Sequence, residues 1–118
     1  MKAFKLINVN GTKSAFQEGT IAEDVHIDAN YFFAQRKIEK YQLSAHPAPR
    51  YQFVITLKGK LRFTVSDGSS FVLEPGIILV AKDLVGEGHS WEIIEGDVWH
   101  RLYIVPDLDA EDFFTSDV

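Results

Sequence analysis

From Tyr51 onward the chain alternates apolar and polar residues with a period of two. Tyr51–Leu57 sets Phe53, Ile55 and Leu57 on one parity and Gln52, Val54 and Thr56 on the other. After Lys58-Gly59-Lys60, Leu61, Phe63 and Val65 alternate with Lys60, Arg62 and Thr64. Alternation of this kind predicts strands with two unlike faces, and the Lys-Gly-Lys triplet predicts a break between them. Asp67-Gly68 predicts a tight type I′ hairpin turn, whose two central residues both need positive φ. Strands are expected at Phe71–Leu73 and Ile77–Ala81, separated by a turn at Glu74-Pro75-Gly76. Gly86 and Gly88 predict a loop before a strand at His89–Ile94, and Gly96-Asp97 predicts one more turn before Val98–Val105. Five or six short strands spaced roughly 8–12 residues apart read as an all-β sandwich or barrel.

The first fifty residues are less regular. Ala29–Leu43 lacks Gly and Pro and fits neither period, and the all-β context makes one long strand the expectation there. The acidic tail 107–118 carries adjacent Phe113 and Phe114. Two neighbouring aromatics are costly to leave in water, so a helical turn or a docked extension is expected. With 118 residues and no linker, the chain reads as a single domain over 1–118. That length lets a core form without a covalent staple.

Composition removes whole classes of chemistry. The chain has no cysteine, which excludes disulfides, thiolate metal sites and a Cys nucleophile. A net charge of -5 argues against a nucleic-acid partner, because phosphate neutralisation needs clustered Lys and Arg. The longest apolar run, Ile77–Ala81, falls far short of the ~20 residues of a membrane span. Lys5 interrupts the region where a signal peptide would place its apolar stretch, so a cytoplasmic location is expected. No serine sits in a nucleophile-elbow sequence.

The four histidines are His26, His46, His89 and His100. Neither His26 nor His100 has motif support, and a structural or surface role is expected for both. His46 opens "HPAPRYQF", where two prolines stiffen the approach to a strand, and His89 follows the glycines of "VGEG". The segments "HPAPRYQFVITLKGKLRFTVSDG" and "LEPGIILVAKDLVGEGH" resemble the small single-domain cupins, over about residues 44–94. The resemblance implies a double-stranded β-helix, or jelly-roll, barrel. In that family a first motif supplies two His, a Glu and a Gly, and a second supplies a Gly and a third His. Together the four side chains commonly hold a divalent metal inside the barrel.

Carried over residue by residue, Gly59 matches the glycine that ends the first motif. The carboxylate position then holds Gln52, the second His position holds Ala48, and His46 takes the first. Gly76 and His89 match the second motif, with a longer loop between them. The resemblance therefore implies His46, Gln52 and His89 as the set that would hold Ni, Zn, Fe or Mn. First-row ions favour three or four imidazole or carboxylate ligands. Two imidazoles and a neutral amide do not by themselves assign a cofactor.

Strand parity extends the candidate site. If Gln52 faces inward, Arg50, Val54 and Thr56 do too, and His89, Trp91 and Ile93 share one face of their own strand. The barrel mouth would then present His46, Arg50, Gln52, His89 and Trp91. Arg offers a planar fork for an anion, Gln a polar anchor and Trp an apolar wall. The alternative is that Arg50 salt-bridges an acidic neighbour while Trp91 is ordinary core. The expected function is binding of a small polar or anionic molecule in the barrel, for which a metal is not required. The alternatives are a metal-dependent oxygenase or isomerase of a small polar substrate, and a non-catalytic interaction module. With Gln52 inward, Phe53, Ile55 and Leu57 form an outer apolar row needing a cover, so a homodimer is expected.

Overall fold

The computed structural model describes residues 1–118. Eight strands form one strongly curled mixed sheet, a half-barrel. They are β1 (Lys2–Val9), β2 (Lys13–Ile21), β3 (Ala29–Gln35), β4 (Gln52–Thr64), β5 (Ser70–Leu73), β6 (Ile78–Ala81), β7 (Ser90–Pro106) and β8 (Phe114–Ser116). The order across the sheet is β3-β7-β4-β6-β1-β2-β8, with β5 paired to β4. All pairings are antiparallel except β1 with β6. No helix is long and apolar enough to cross a membrane.

The strands expected after residue 50 are present, but two of the expected interruptions are not. Lys58-Gly59-Lys60 does not end a strand, because β4 runs straight through it. Gly96-Asp97 likewise lies within β7. Lys58 pairs with His100 and Lys60 with Glu95, so a short advance along β4 faces a longer loop of β7. This bulge bends the β4–β7 ribbon and reverses the inward parity of β4. Gln52, Val54 and Thr56 are buried in its first half, and Leu61 and Phe63 in its second. Gly59 permits the corner, since a Cβ there would stand 2.7 Å from the Val98 carbonyl oxygen.

Asp67-Gly68 closes the β4–β5 hairpin, although not as a type I′ turn. Only Gly68 has positive φ (85°), and the Val65 carbonyl accepts the Gly68 N–H at 3.0 Å while Val65 N–H donates to Ser69 O. That is a type I turn followed by a glycine bulge, the usual three-residue hairpin solution.

Ala29–Leu43 is not one strand. β3 ends at Gln35, and a 3₁₀ turn follows at Lys40–Leu43. Gln42 anchors that turn: its Oε1 accepts the Glu39 N–H at 2.7 Å and its Nε2 donates to Tyr103 Oη at 3.3 Å. The tail docks as an extended strand, β8 on β2, and not as a helical turn. Buried Asp112 holds it there, paired with Lys5 at 2.7 Å and Lys82 at 3.0 Å.

The sheet separates two apolar clusters. Phe4, Leu6, Val54, Phe63, Leu79 and Tyr103 belong to the larger, concave one. On the convex side, Ala3, Ile21, Tyr51, Phe53 and Val80 are covered by Ala110 and Phe114 of the tail. The outer row is thus covered only in part: Phe53 is buried, Ile55 half-buried and Leu57 exposed.

Candidate functional site

Two loops bring His46 and His89 together at the open end of the concave face. Their backbones form a reciprocal pair, each N–H donating to the other's carbonyl at 2.9 Å, and the ring centroids lie 4.8 Å apart. Gly88 makes this approach possible. It sits at φ 76°, and a Cβ there would overlap the His46 carbonyl group and the Pro47 nitrogen.

Each imidazole is fixed through Nδ1. In His46, Nδ1 lies 2.8 Å from the Ser44 carbonyl, which can only accept, so this nitrogen carries the proton. Burial pushes the His46 imidazole below its ordinary value, the Ser44 hydrogen bond opposing and nearby His89 reinforcing. In buried His89, Nδ1–H donates to Asp83 Oδ2 at 2.6 Å. Asp83 is itself fully buried, and the same oxygen accepts the Ser14 hydroxyl at 2.8 Å. A carboxylate behind an imidazole sets its tautomer and leaves Nε2 as the acceptor. Both rings border one interior cavity, and neither Nε2 has a partner in the chain.

Gln52, at the start of β4, lines the same cavity and is buried. Its Oε1 accepts from Arg50 Nη1 at 2.7 Å. A guanidinium has no acceptor, so this contact settles the amide orientation and leaves the NH₂ for the cavity. Arg50 does not line the cavity itself. It is half-buried, stacks over Phe33 at 5.5 Å and has no carboxylate partner. The alternative in which Arg50 salt-bridges an acidic neighbour is therefore excluded. Trp91 lies on the cavity wall, half-buried, against Trp99 at 4.9 Å.

Sequence reasoning missed several residues here. Tyr41 and Gln42, from the 3₁₀ turn, close the mouth, and Trp99 and Tyr103 of β7 complete the wall. Behind Tyr103 lies Arg101, 1% exposed. Its partners are all neutral: Tyr103 Oη at 2.9 Å, Trp99 O at 3.0 Å, and the oxygens of Gln35, Lys37 and Gln42. Tyr103 Oη accepts from both Arg101 and Gln42, so its own proton remains to be donated. Period-two parity along Val98–Val105 puts Trp99, Arg101 and Tyr103 on one face, a signal available in the sequence. Asp83 carries no comparable signal. His26 is exposed, and His100 borders a separate surface groove with Arg36 and Lys37.

The donor set does not fit a divalent metal. Gln52 turns its amide hydrogens, not its oxygen, toward the cavity, and its oxygen is held by a cation. Ala48 supplies no ligand where the family motif has a second histidine. No group of three or more His, Asp or Glu side chains is arranged to hold a metal ion. The free space is about 30 Å³, room for about one or two waters.

A comparison with family models, curated proteins and solved structures finds no match to this chain.

Proposed function

We propose that this chain is a jelly-roll barrel of the cupin type that binds a small polar or anionic molecule in its inner cavity, without a metal. The observation that carries this reading is the Arg50–Gln52 contact. It turns the residue in the metal-carboxylate position into a neutral hydrogen-bond donor aimed at the cavity. Gln52 Nε2 and the Tyr103 hydroxyl supply donors, the Nε2 atoms of His46 and His89 supply acceptors, and Trp91 and Trp99 supply apolar walls. Arg50 and Arg101 bring two guanidinium charges without a carboxylate partner, which favours an anionic or electron-rich ligand. The Asp83–His89 pair also equips the pocket to hold and pass a proton, the arrangement general-base chemistry requires. The metal-dependent reading relies on the same two free Nε2 atoms and lacks a third ligand.

The cavity as it stands holds only water-sized molecules, so a larger ligand requires the mouth lined by Tyr41 and Gln42 to widen. The test is titration with a panel of small carboxylates and phosphate esters, followed by the Gln52 side-chain amide resonance. A member that binds should shift that resonance and raise the melting temperature. Gln52→Leu, which removes that amide, should abolish the rise in melting temperature while keeping the fold. Binding undiminished in Gln52→Leu would contradict the proposal.

A further inference from the structure

We infer that the surface groove between the end of β3 and β7 is a second anion site. It takes a phosphate or diphosphate group of a small molecule on Arg36, Lys37 and His100. The distribution of cations singles out this place. Lys2, Lys5, Lys13, Lys60, Arg62 and Lys82 each pair with a carboxylate. The remaining Lys and Arg residues, Arg36, Lys37, Lys40, Arg50, Lys58 and Arg101, pair with none. All of these gather around the end of β3. Arg36, Lys37 and Lys40 lie in or beside the connection to the 3₁₀ turn, and Arg50 stacks over Phe33 of β3. Arg101 bonds the Lys37 carbonyl, and Lys58 stands opposite His100 in the β4–β7 ladder. A chain of net charge -5 thus neutralises its cations everywhere except here. Like charges left together repel, and an anion bound among them relieves that repulsion.

The groove itself has the shape and donors for such a group. Arg36, Lys37 and His100 line it together with Ala34, Gln35 and Val98. Its free volume is about 550 Å³, within the roughly 300–1,000 Å³ of small-molecule sites. Buried Arg101 fixes the groove's wall, since its Nη2 donates to Lys37 O and to Gln35 Oε1, each at 3.0 Å. That guanidinium has no counter-ion and adds positive potential behind the exposed Arg36 and Lys37. The neighbouring carboxylates are engaged elsewhere. Glu39 Oε1 accepts from Gln35 Nε2 at 3.2 Å, and Asp97 lines a different groove with Lys58 and Lys60. A guanidinium fork, an ammonium and an imidazole N–H are three kinds of donor. A phosphate gathers about two negative charges and three acceptor oxygens on one centre, whereas a lone carboxylate offers one charge. Alternation along β7 turns His100 away from Trp99, which walls the inner cavity, so the two sites are separate.

Titration of the full chain with inorganic pyrophosphate at constant ionic strength, followed by amide and imidazole NMR shifts, tests the inference. Pyrophosphate should saturate the groove with a Kd of about 1 mM or tighter, and inorganic phosphate should bind the same residues more weakly. The shifts should concentrate at Arg36, Lys37 and His100. Arg36→Glu and Lys37→Glu should each weaken pyrophosphate about tenfold or more, because each replaces an attraction by a repulsion. Lys13→Glu reverses an exposed cation that already pairs with Glu87 and should leave the affinity within about twofold of wild type. These positions are on the surface, and unchanged circular dichroism confirms the fold of each variant. The absence of a saturable shift would overturn the inference. So would shifts spread equally over Lys2, Lys13 and Arg62, or wild-type affinity in Arg36→Glu. Shifts confined to Gln52 and His89 would also overturn it, by moving the anion to the inner cavity.

Discussion

Gly88→Ala should cost about 4 kcal/mol, well beyond the ~1 kcal/mol typical of a point substitution. Two effects add. A left-handed backbone at φ 76° disfavours any side chain by roughly 1–2 kcal/mol. The new Cβ would also fall on the His46 carbonyl and the Pro47 nitrogen, backbone atoms that cannot rotate away. Relief requires separating the two loops, which breaks the reciprocal His46–His89 backbone pair and removes both imidazoles from the cavity. Gly68→Ala is the internal control. Gly68 sits at φ 85° with nothing near its missing Cβ, so it should lose only the conformational part, about 1 kcal/mol. Calorimetric unfolding of the two variants checks the difference. Equal losses would mean that the close approach of the two loops contributes nothing.

Asp83→Ala should destabilise the fold by about 3 kcal/mol, which for a chain this size lowers the melting temperature by roughly 12 °C. The carboxylate is fully buried and has two donors, Ser14 Oγ and His89 Nδ1. Removing it strands both in the interior, where an unpaired polar group costs about 1–3 kcal/mol. Asp83→Asn keeps an acceptor for the His89 proton and should lose less than half as much. A loss under about 1 kcal/mol for Asp83→Ala would show that the carboxylate is solvated. The same burial decides what removing His89 does. As a side chain pointing into an open pocket, it could be removed without penalty to the fold. Packed over buried Asp83, it cannot, because His89→Ala leaves the carboxylate without its ring partner. Gln52, not His89, is therefore the position at which binding separates cleanly from stability.

The sequence reveals strands where one face is buried and the other wet. That is why β4, β5, β6 and the second half of β7 can be read from alternation alone. It does not reveal how strands continue through a corner. Lys58-Gly59-Lys60 and Gly96-Asp97 look like chain reversals, because a bulge uses the same glycine chemistry as a turn; only the paired partner distinguishes them. The β1–β2 hairpin was equally invisible to alternation, since the pattern of Lys2–Val9 is irregular. Its signal was local: Asn10-Gly11, where both residues take positive φ. Ala29–Leu43 misled because Tyr41 and Gln42 are selected for contacts with β7 across the cavity mouth, a requirement with no period along the chain.

At the site, the residue types and their convergence were unequally legible. His46, Gln52, His89 and Trp91 line one cavity. Arg50 shares the strand approach but acts from outside, on Gln52. The electrostatic character of the cavity comes from Arg101, buried without a counter-ion, and from Asp83 beneath His89. Both arrive from positions the motif does not mark, and long-range packing alone brings them there.

The claim that this cavity is a metal-free binding site is tested most directly by a high-resolution crystal structure of protein purified without chelator, with anomalous data collected for first-row metals. The account predicts non-metal density within hydrogen-bonding distance of Gln52 Nε2 and His89 Nε2, no anomalous peak, and Gln52 Oε1 still bound to Arg50. An anomalous peak coordinated by the Nε2 atoms of His46 and His89, with the Gln52 amide turned to join them, would contradict it.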